Sequence, residues 1–443
     1  MLSAFVAALR TPDLRRKILL TLGVLALSRL GAAIPAPGVD HAALRACLDT
    51  AAGGDSAGIY QLIGMLSGGA LLQLSVFAIG VAPYITASII TQLLTVVIPR
   101  FERLRKEGEP GQARITQYTR YLSVALAVLQ ASTVVALAGR GLLPRGCQRE
   151  VLADRSPFGM IVAVLVLTAG AALVMWFGEL ISERGIGNGM SLLIFAGIAA
   201  RIPGQGKAIL DAEGGLVFAV VCVAVVLTIA GVVFVEQGQR RIPVQYARRV
   251  VGRRMYGGAS TYLPLKVNQA GVVPVIFASS LLSVPGLIAK SIQGSSTPSR
   301  WQEILQTYLV NPGNPVHVAV YFVLIVFFTY FYVAITFAPD ERAEEMKKFG
   351  GFLPGYRPGT ATSDHLAFVL SRITLPGAVY LGVVAVLPNL LPVGGTGAAQ
   401  SLAFGGTSVL IVVSVGLDTL KQLESQLLHR NYSGFLRRTP YDR

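Results

Sequence analysis

FGMIVAVLVLTAGAALVMWFGELI, from Phe158 to Ile181, carries a single ionisable side chain, Glu179, close to its end. A helix needs about 20 apolar residues to cross about 30 Å of hydrocarbon, and inside lipid every backbone N–H and C=O must bond within the protein. The stretch meets that length. Barrel strands would instead read as short segments of alternating polarity. Outward from it, apolar runs bounded by Pro, Gly and charge clusters predict spans near 18–36, 74–98, 118–138, 158–181, 187–203, 215–236, 268–289, 317–338, 373–391 and 404–421. The expected fold is all-α, a polytopic membrane protein with ten transmembrane helices.

Composition agrees. Hydrophobic residues make up 53% of the 443 and charged residues 14%, with a mean hydropathy of +0.60, where soluble chains carry about 25% charged residues. Cys47, Cys147 and Cys222 are too few and too odd in number for a disulfide framework, and no CxxC or Cys/His cluster suggests a metal. Arg15-Arg16-Lys17 ahead of Ile18 to Leu27 resembles a signal peptide, but Arg29 interrupts the apolar run and further spans follow, so it reads as a retained first span.

An even span count puts both termini on one side, and the positive-inside rule makes that side cytoplasmic. Most of the 38 basic residues then fall inside, in the N-terminal segment, Arg100 to Arg120, Gln237 to Lys266, Pro339 to Arg372 and the C-terminal segment. One loop dissents, with Arg140, Arg145, Arg149 and Arg155 on the expected outside. The net charge of +15 is thus mainly a topology signal, supplemented by contact with anionic lipids. The two long inner loops, 237–266 and 339–372, exceed that need; they suit either a docking surface for a cytoplasmic partner or a lipid-facing surface.

Mid-membrane charge is nearly absent. Arg29 is the main exception, while Glu179, Glu236 and Asp418 sit near cytoplasmic span ends, where they are expected to reach water. There is no GxxxxGK loop, HExxH or GxSxG, and Gly185-Ile-Gly-Asn-Gly189 lacks the spacing and preceding strand of a dinucleotide site, so it reads as a tight link between spans. Catalysis, metal and cofactor are therefore not expected. Ile59 to Leu72 is apolar yet short and Gly-rich: either a re-entrant piece or an amphipathic interfacial helix. Ile34-Pro-Ala-Pro-Gly38 forces an extended exit from the first span.

Ordered strings then bring in a family. Leu30-Gly-Ala-Ala-Ile-Pro-Ala-Pro-Gly-Val-Asp40, Ser67-Gly-Gly-Ala-Leu71, Pro83-Tyr-Ile-Thr-Ala-Ser-Ile-Ile90, Gly108-Glu-Pro-Gly-Gln112, Gln117-Tyr-Thr-Arg-Tyr121, Glu183-Arg-Gly-Ile-Gly-Asn-Gly189, Gln237-Gly-Gln-Arg-Arg-Ile242, Leu263-Pro-Leu-Lys-Val-Asn268, Ile276-Phe-Ala-Ser-Ser280, Pro354-Gly-Tyr-Arg-Pro-Gly359 and Gly405-Gly-Thr-Ser408 resemble the SecY family, bacterial counterparts of the Sec61 channel subunit. The resemblance covers nearly the whole chain.

It implies two inverted pseudo-symmetric five-helix halves, 1–205 and 206–443, around an hourglass pore. The pore ring would be Val81, Ile85, Met190, Ile194, Ile276 and Ile411, with Val81 and Met190 departing from the family's isoleucine. The plug would be Ile59 to Leu72, including Leu62, Ile63, Met65, Leu66, Ser67, Gly68, Gly69 and Leu71. A lateral gate would involve Pro83, Ser88, Ile90, Ser279, Ser280 and Val284, and Arg253, Arg254 and Arg357 would meet the SecA motor ATPase or the translating ribosome. SecE, SecG, signal sequences, preproteins and anionic lipids complete the implied partners, with no direct DNA binding. The implied function is a passive channel for secretory polypeptides in the plasma membrane. A secondary transporter for a small solute fits composition and span count equally well.

Overall fold

The computed structural model describes residues 11–39, 70, 74–139, 156–246, 249–251, 254–256, 260–291, 308, 314–390 and 406–436. The chain forms two compact units. One comprises Met1–Ala219, Gly394–Ala403 and Ile411–Arg443; the other comprises Val220–Val393 and Phe404–Leu410.

Helices dominate: α1 (Pro12–Ala33), α2 (Ala82–Val97), α3 (Pro99–Lys106), α4 (Glu109–Gly139), α5 (Pro157–Arg184), α6 (Gly189–Ala199) and α7 (Ile202–Gln237) come first. Then follow strands β1 (Gln239–Tyr246), β2 (Arg249–Val251), β3 (Arg254–Tyr256) and β4 (Ser260–Lys266), and after them α8 (Val273–Ser291), α9 (Pro315–Thr336), α10 (Pro339–Lys348), β5 (Gly351–Phe352), α11 (Thr360–Leu390) and α12 (Gly406–Leu436). Every expected span overlaps a helix. Among the described residues five helices are long and apolar enough to cross a membrane, or six if α2 and α3 form one bent span. The chain is a multi-pass membrane protein.

The ends of these helices are written locally. Proline occupies the first turn of α1, α2, α3, α5, α9 and α10, where a missing N–H costs nothing. Ser156 caps α5 by accepting from the Gly159 N–H, and Asn314 caps α9 by accepting from the Val316 N–H at 2.9 Å. Pro99 drives Ile98 into an extended conformation (φ −103°, ψ 116°), and α3 turns away from α2 by 97°. Gly214, with φ +82°, breaks α7 where the sixth span was expected to begin.

Several intervals differ from expectation. The second span was expected from 74, but 74–81 is a series of turns that docks on the extended exit of α1: Ala36 N–H bonds Leu74 C=O at 3.0 Å and Val76 N–H bonds Ile34 C=O at 2.9 Å. The fifth is covered by α6 for only 11 residues, about 17 Å at 1.5 Å per residue, well short of a hydrocarbon layer. The helices of the third, ninth and tenth expected spans, α4, α11 and α12, run beyond the apolar run into polar sequence, because backbone bonding continues until a breaker intervenes. The all-α expectation also missed strands: β4, β1 and β5 form a three-stranded antiparallel sheet, and β2 pairs β3.

In the first unit α4 packs on α2, α3 and α5, and α5 packs on α1 and α6. Small residues allow the α4–α5 approach: Ala127, Ala131 and Val135 meet Ala163, Leu167 and Ala171 in one buried cluster. In the second unit α8, α9 and α11 pack together. A second core, including Ile242, Leu265, Val333, Phe337, Leu353 and Leu366, seats the sheet on α9 and α11.

Candidate functional site: the ring positions and the basic sheet

Val81 stands immediately before α2 and Ile85 one turn into it, joined by the Ile85 N–H to Val81 C=O bond of 3.1 Å, so both lie on one face. Met190 and Ile194 are likewise one turn apart on α6. That helix starts sharply because Asn188 accepts from the N–H groups of Met190 and Ser191, while Gly187 adopts φ +88°. The link is thus a helix–turn–helix, in keeping with the expected tight connection. It is tied down from two sides: Ile186 N–H donates to Thr21 Oγ1, and Gly187 N–H donates to Gln422 Oε1 at 3.0 Å.

Val81 and Ile194 are buried and line one cavity of about 30 Å³. Arg29, Ser28, Phe77 and Gly80 share its walls. The structure therefore brings these two ring positions together with the one charge in the first expected span. Met190 is half-buried and lays its thioether against Gly178 of α5, whose missing Cβ leaves the room. Ile411 is buried in α12 of the same unit. Ile276 belongs to the second unit, buried in the first turn of α8.

Of the expected gate residues, Pro83 is fully buried, and Ser88 and Ile90 are half-buried along α2. On α8 Ser279 donates its hydroxyl proton to Ile276 C=O at 2.9 Å, inside its own helix. Ser280 is half-buried, and the Val284 side chain lies outside the described residues, as do the plug residues Ile59 to Gly69, Leu71 and Leu72, the loop Arg140 to Arg155, and Arg253.

The acids at span ends are less wet than expected. Glu236, at the end of α7, is buried and receives the Asn268 Nδ2–H at 2.6 Å. Glu179 is largely shielded and pairs with Arg120 at 2.7 Å, tying α5 to α4. Desolvation selects such partners, since a buried carboxylate without a donor costs several kcal/mol. Asp418 is exposed as expected.

The two basic loops prove to be one object. β1 pairs with β4 in register from Gln239↔Lys266 to Gln245↔Ser260, and β5, from the later loop, adds to its other edge through Gln245↔Phe352 and Tyr246↔Gly351. Ile242 and Val244 face the core while Arg241 and Pro243 face out; Arg241 lies 4.8 Å over the Tyr262 ring. That alternation was the signal a sequence reading needed. Arg254 lies on β3, and Arg357 is exposed in the turn after β5, its carbonyl held by the Thr362 hydroxyl at 2.8 Å. In the first unit α3 adds a basic surface, where Lys106 bonds Glu102 at 2.7 Å and holds that carboxyl below the usual range.

Known proteins match along most of the length. The SecY family profile matches residues 75–420. The chain is 65% identical to the protein translocase subunit SecY of Mycobacterium bovis over 99% of this chain and 100% of that one, and 56% identical to that of Corynebacterium glutamicum over 98% and 100%. Among solved structures it resembles a protein-conducting channel (TM-score 0.63, 19% identity, 92% of this chain and 91% of that one). It also resembles Sec61 from the canine ribosome–channel complex (TM-score 0.61, 19% identity, the same coverage). The chain belongs to the SecY family.

Proposed function

We propose that this chain is the pore-forming subunit of a Sec translocon, conducting unfolded secretory polypeptides across the plasma membrane and releasing apolar segments sideways into lipid. The observation that carries this reading is identity of 65% across essentially the whole length to a protein translocase subunit SecY. Family membership and the aliphatic identity of all six ring positions support it. Bulky apolar groups around a constriction disfavour confined water and so impede ions, yet offer a passing chain no fixed bond. A gate between the two five-span halves, held by few hydroxyl contacts worth about 0.6 kcal/mol each, opens readily for an apolar signal sequence. Ser279 weakens that seam further by donating within α8.

The energy comes from outside, from SecA or the ribosome, with SecE and SecG as companions and both termini in the cytoplasm. The basic sheet of β1, β4 and β5 is the proposed docking platform, and a partner there biases the gate only by contacting its open and closed forms differently.

The test stalls a secretory precursor in the channel and crosslinks it to cysteines placed at Ile85, Ile276 and Ile411. Crosslinks at these three positions and not at lipid-facing Leu165 or Val226 are expected; the reverse pattern refutes the pore. For the platform, Arg357→Glu is expected to lower SecA-driven export into vesicles about tenfold, the loss of one well-placed charge contact, with normal amounts of protein in the membrane. Normal export by that variant removes Arg357 from the docking surface.

A further inference from the structure

We propose that Arg29 is the fixed charge that sets the ion selectivity of the constriction, repelling cations and favouring small anions in whatever leak the ring permits; this rests on the ring reading above. Its Nε is enclosed and has no hydrogen-bond partner. The cavity it lines is bordered by Val81 and Ile194, two of the six ring positions. Among the described residues the lining holds no carboxylate to neutralise it, and the Ser28 hydroxyl is engaged with Leu25 C=O at 2.7 Å.

A guanidinium stays charged in proteins, and where the surroundings are apolar its field falls off slowly. An arginine in a span normally reaches for the membrane surface or pairs with an acid. Here the enclosed Nε does neither. A cation near the C-terminal end of α1, its Nε without a partner among the described residues, has an electrostatic consequence beside an aliphatic constriction: an ion crossing the ring meets a positive wall on one side. A hydrophobic ring alone discriminates against ions of both signs, whereas this charge distinguishes between them.

The experiment uses the full chain in its membrane complex, opened by a signal peptide in a planar bilayer with a KCl gradient. The reversal potential gives the chloride-to-potassium permeability ratio. Arg29→Gln is expected to lower that ratio by about threefold or more, and Arg29→Lys to keep it. Ala32 lines the same cavity one turn further along α1, so adding Ala32→Lys to Arg29→Gln should restore the ratio, which a purely structural role would not. If Arg29→Gln fails to accumulate, Ala32→Glu beside the intact Arg29 neutralises the charge and should lower the ratio equally. An unchanged ratio in either neutral variant overturns the proposal. Ile194→Gly separates the two readings: raised leak with unaltered selectivity in Arg29→Gln defeats the charge alone, whereas no rise in leak defeats the ring and this proposal with it.

Discussion

Asn268→Leu is expected to destabilise the second unit by about 2–3 kcal/mol, the range for losing a hydrogen bond to a buried charge. Asn268 Nδ2 donates to Glu236 Oε1 at 2.6 Å and to Gly271 C=O at 3.2 Å, and both side chains are buried. The pair closes the junction where β4 leaves the sheet and the chain turns into α8, so the loss should be felt on both sides of the turn. Thermal unfolding of the detergent-solubilised protein should show a midpoint lower by about 5 °C. Asn268→Asp, which sets two carboxylates face to face, should be worse still. An unaltered midpoint for both variants would mean that the pair contributes nothing.

Gly189→Val carries a comparable penalty for a steric reason. A Cβ at this position meets the Gly178 carbonyl oxygen inside contact distance and lies 2.9 Å from Ile181 Cβ. Helices α5 and α6 must separate to admit it, which costs about 3 kcal/mol, the upper end for overpacking a close-packed contact. Separation also strains the Gly189 N–H bond to Ser182 Oγ at 2.9 Å and carries Met190 out of its notch at Gly178. The expected result is a sharp fall in monodisperse protein by size-exclusion chromatography. Gly23→Ala, in open space on α1, should behave as the parent or slightly better. If Gly189→Val elutes like Gly23→Ala, the tight approach is not needed.

The helices were legible because their boundaries are local. Pro99, Pro157, Pro315 and Gly214 act through the φ and ψ of one or two residues, so the sequence states them directly. The sheet was not legible, because β1 and β4 each carry a proline, Pro243 and Pro264, and basic residues that mimic a topology signal. Its decisive contact, β5 on β1, joins positions more than a hundred residues apart, and no periodicity reaches that far. The burial of Glu236 was missed for a related reason: nearness to a span end says where water is, whereas Asn268, which follows β4 at the same end of the sheet, says whether water is needed. Arg29 stood out in the sequence as a charge among apolar residues; that its Nε lacks a partner among the described residues, beside Val81 and Ile194, follows from the packing of side chains distant in sequence.

The antiparallel pairing of β5 with β1 has a mechanical meaning. The sheet grows directly from the end of α7, hands the chain to α8 through β4, and receives β5 from the segment that leaves α9 and enters α11. A load applied anywhere on it is therefore shared among the ends of four helices at once. Under the proposed docking role, partners of very different size and shape would not need to touch the same spot to produce the same effect: the sheet would serve as a common handle, whose stiffness would matter more than its outline.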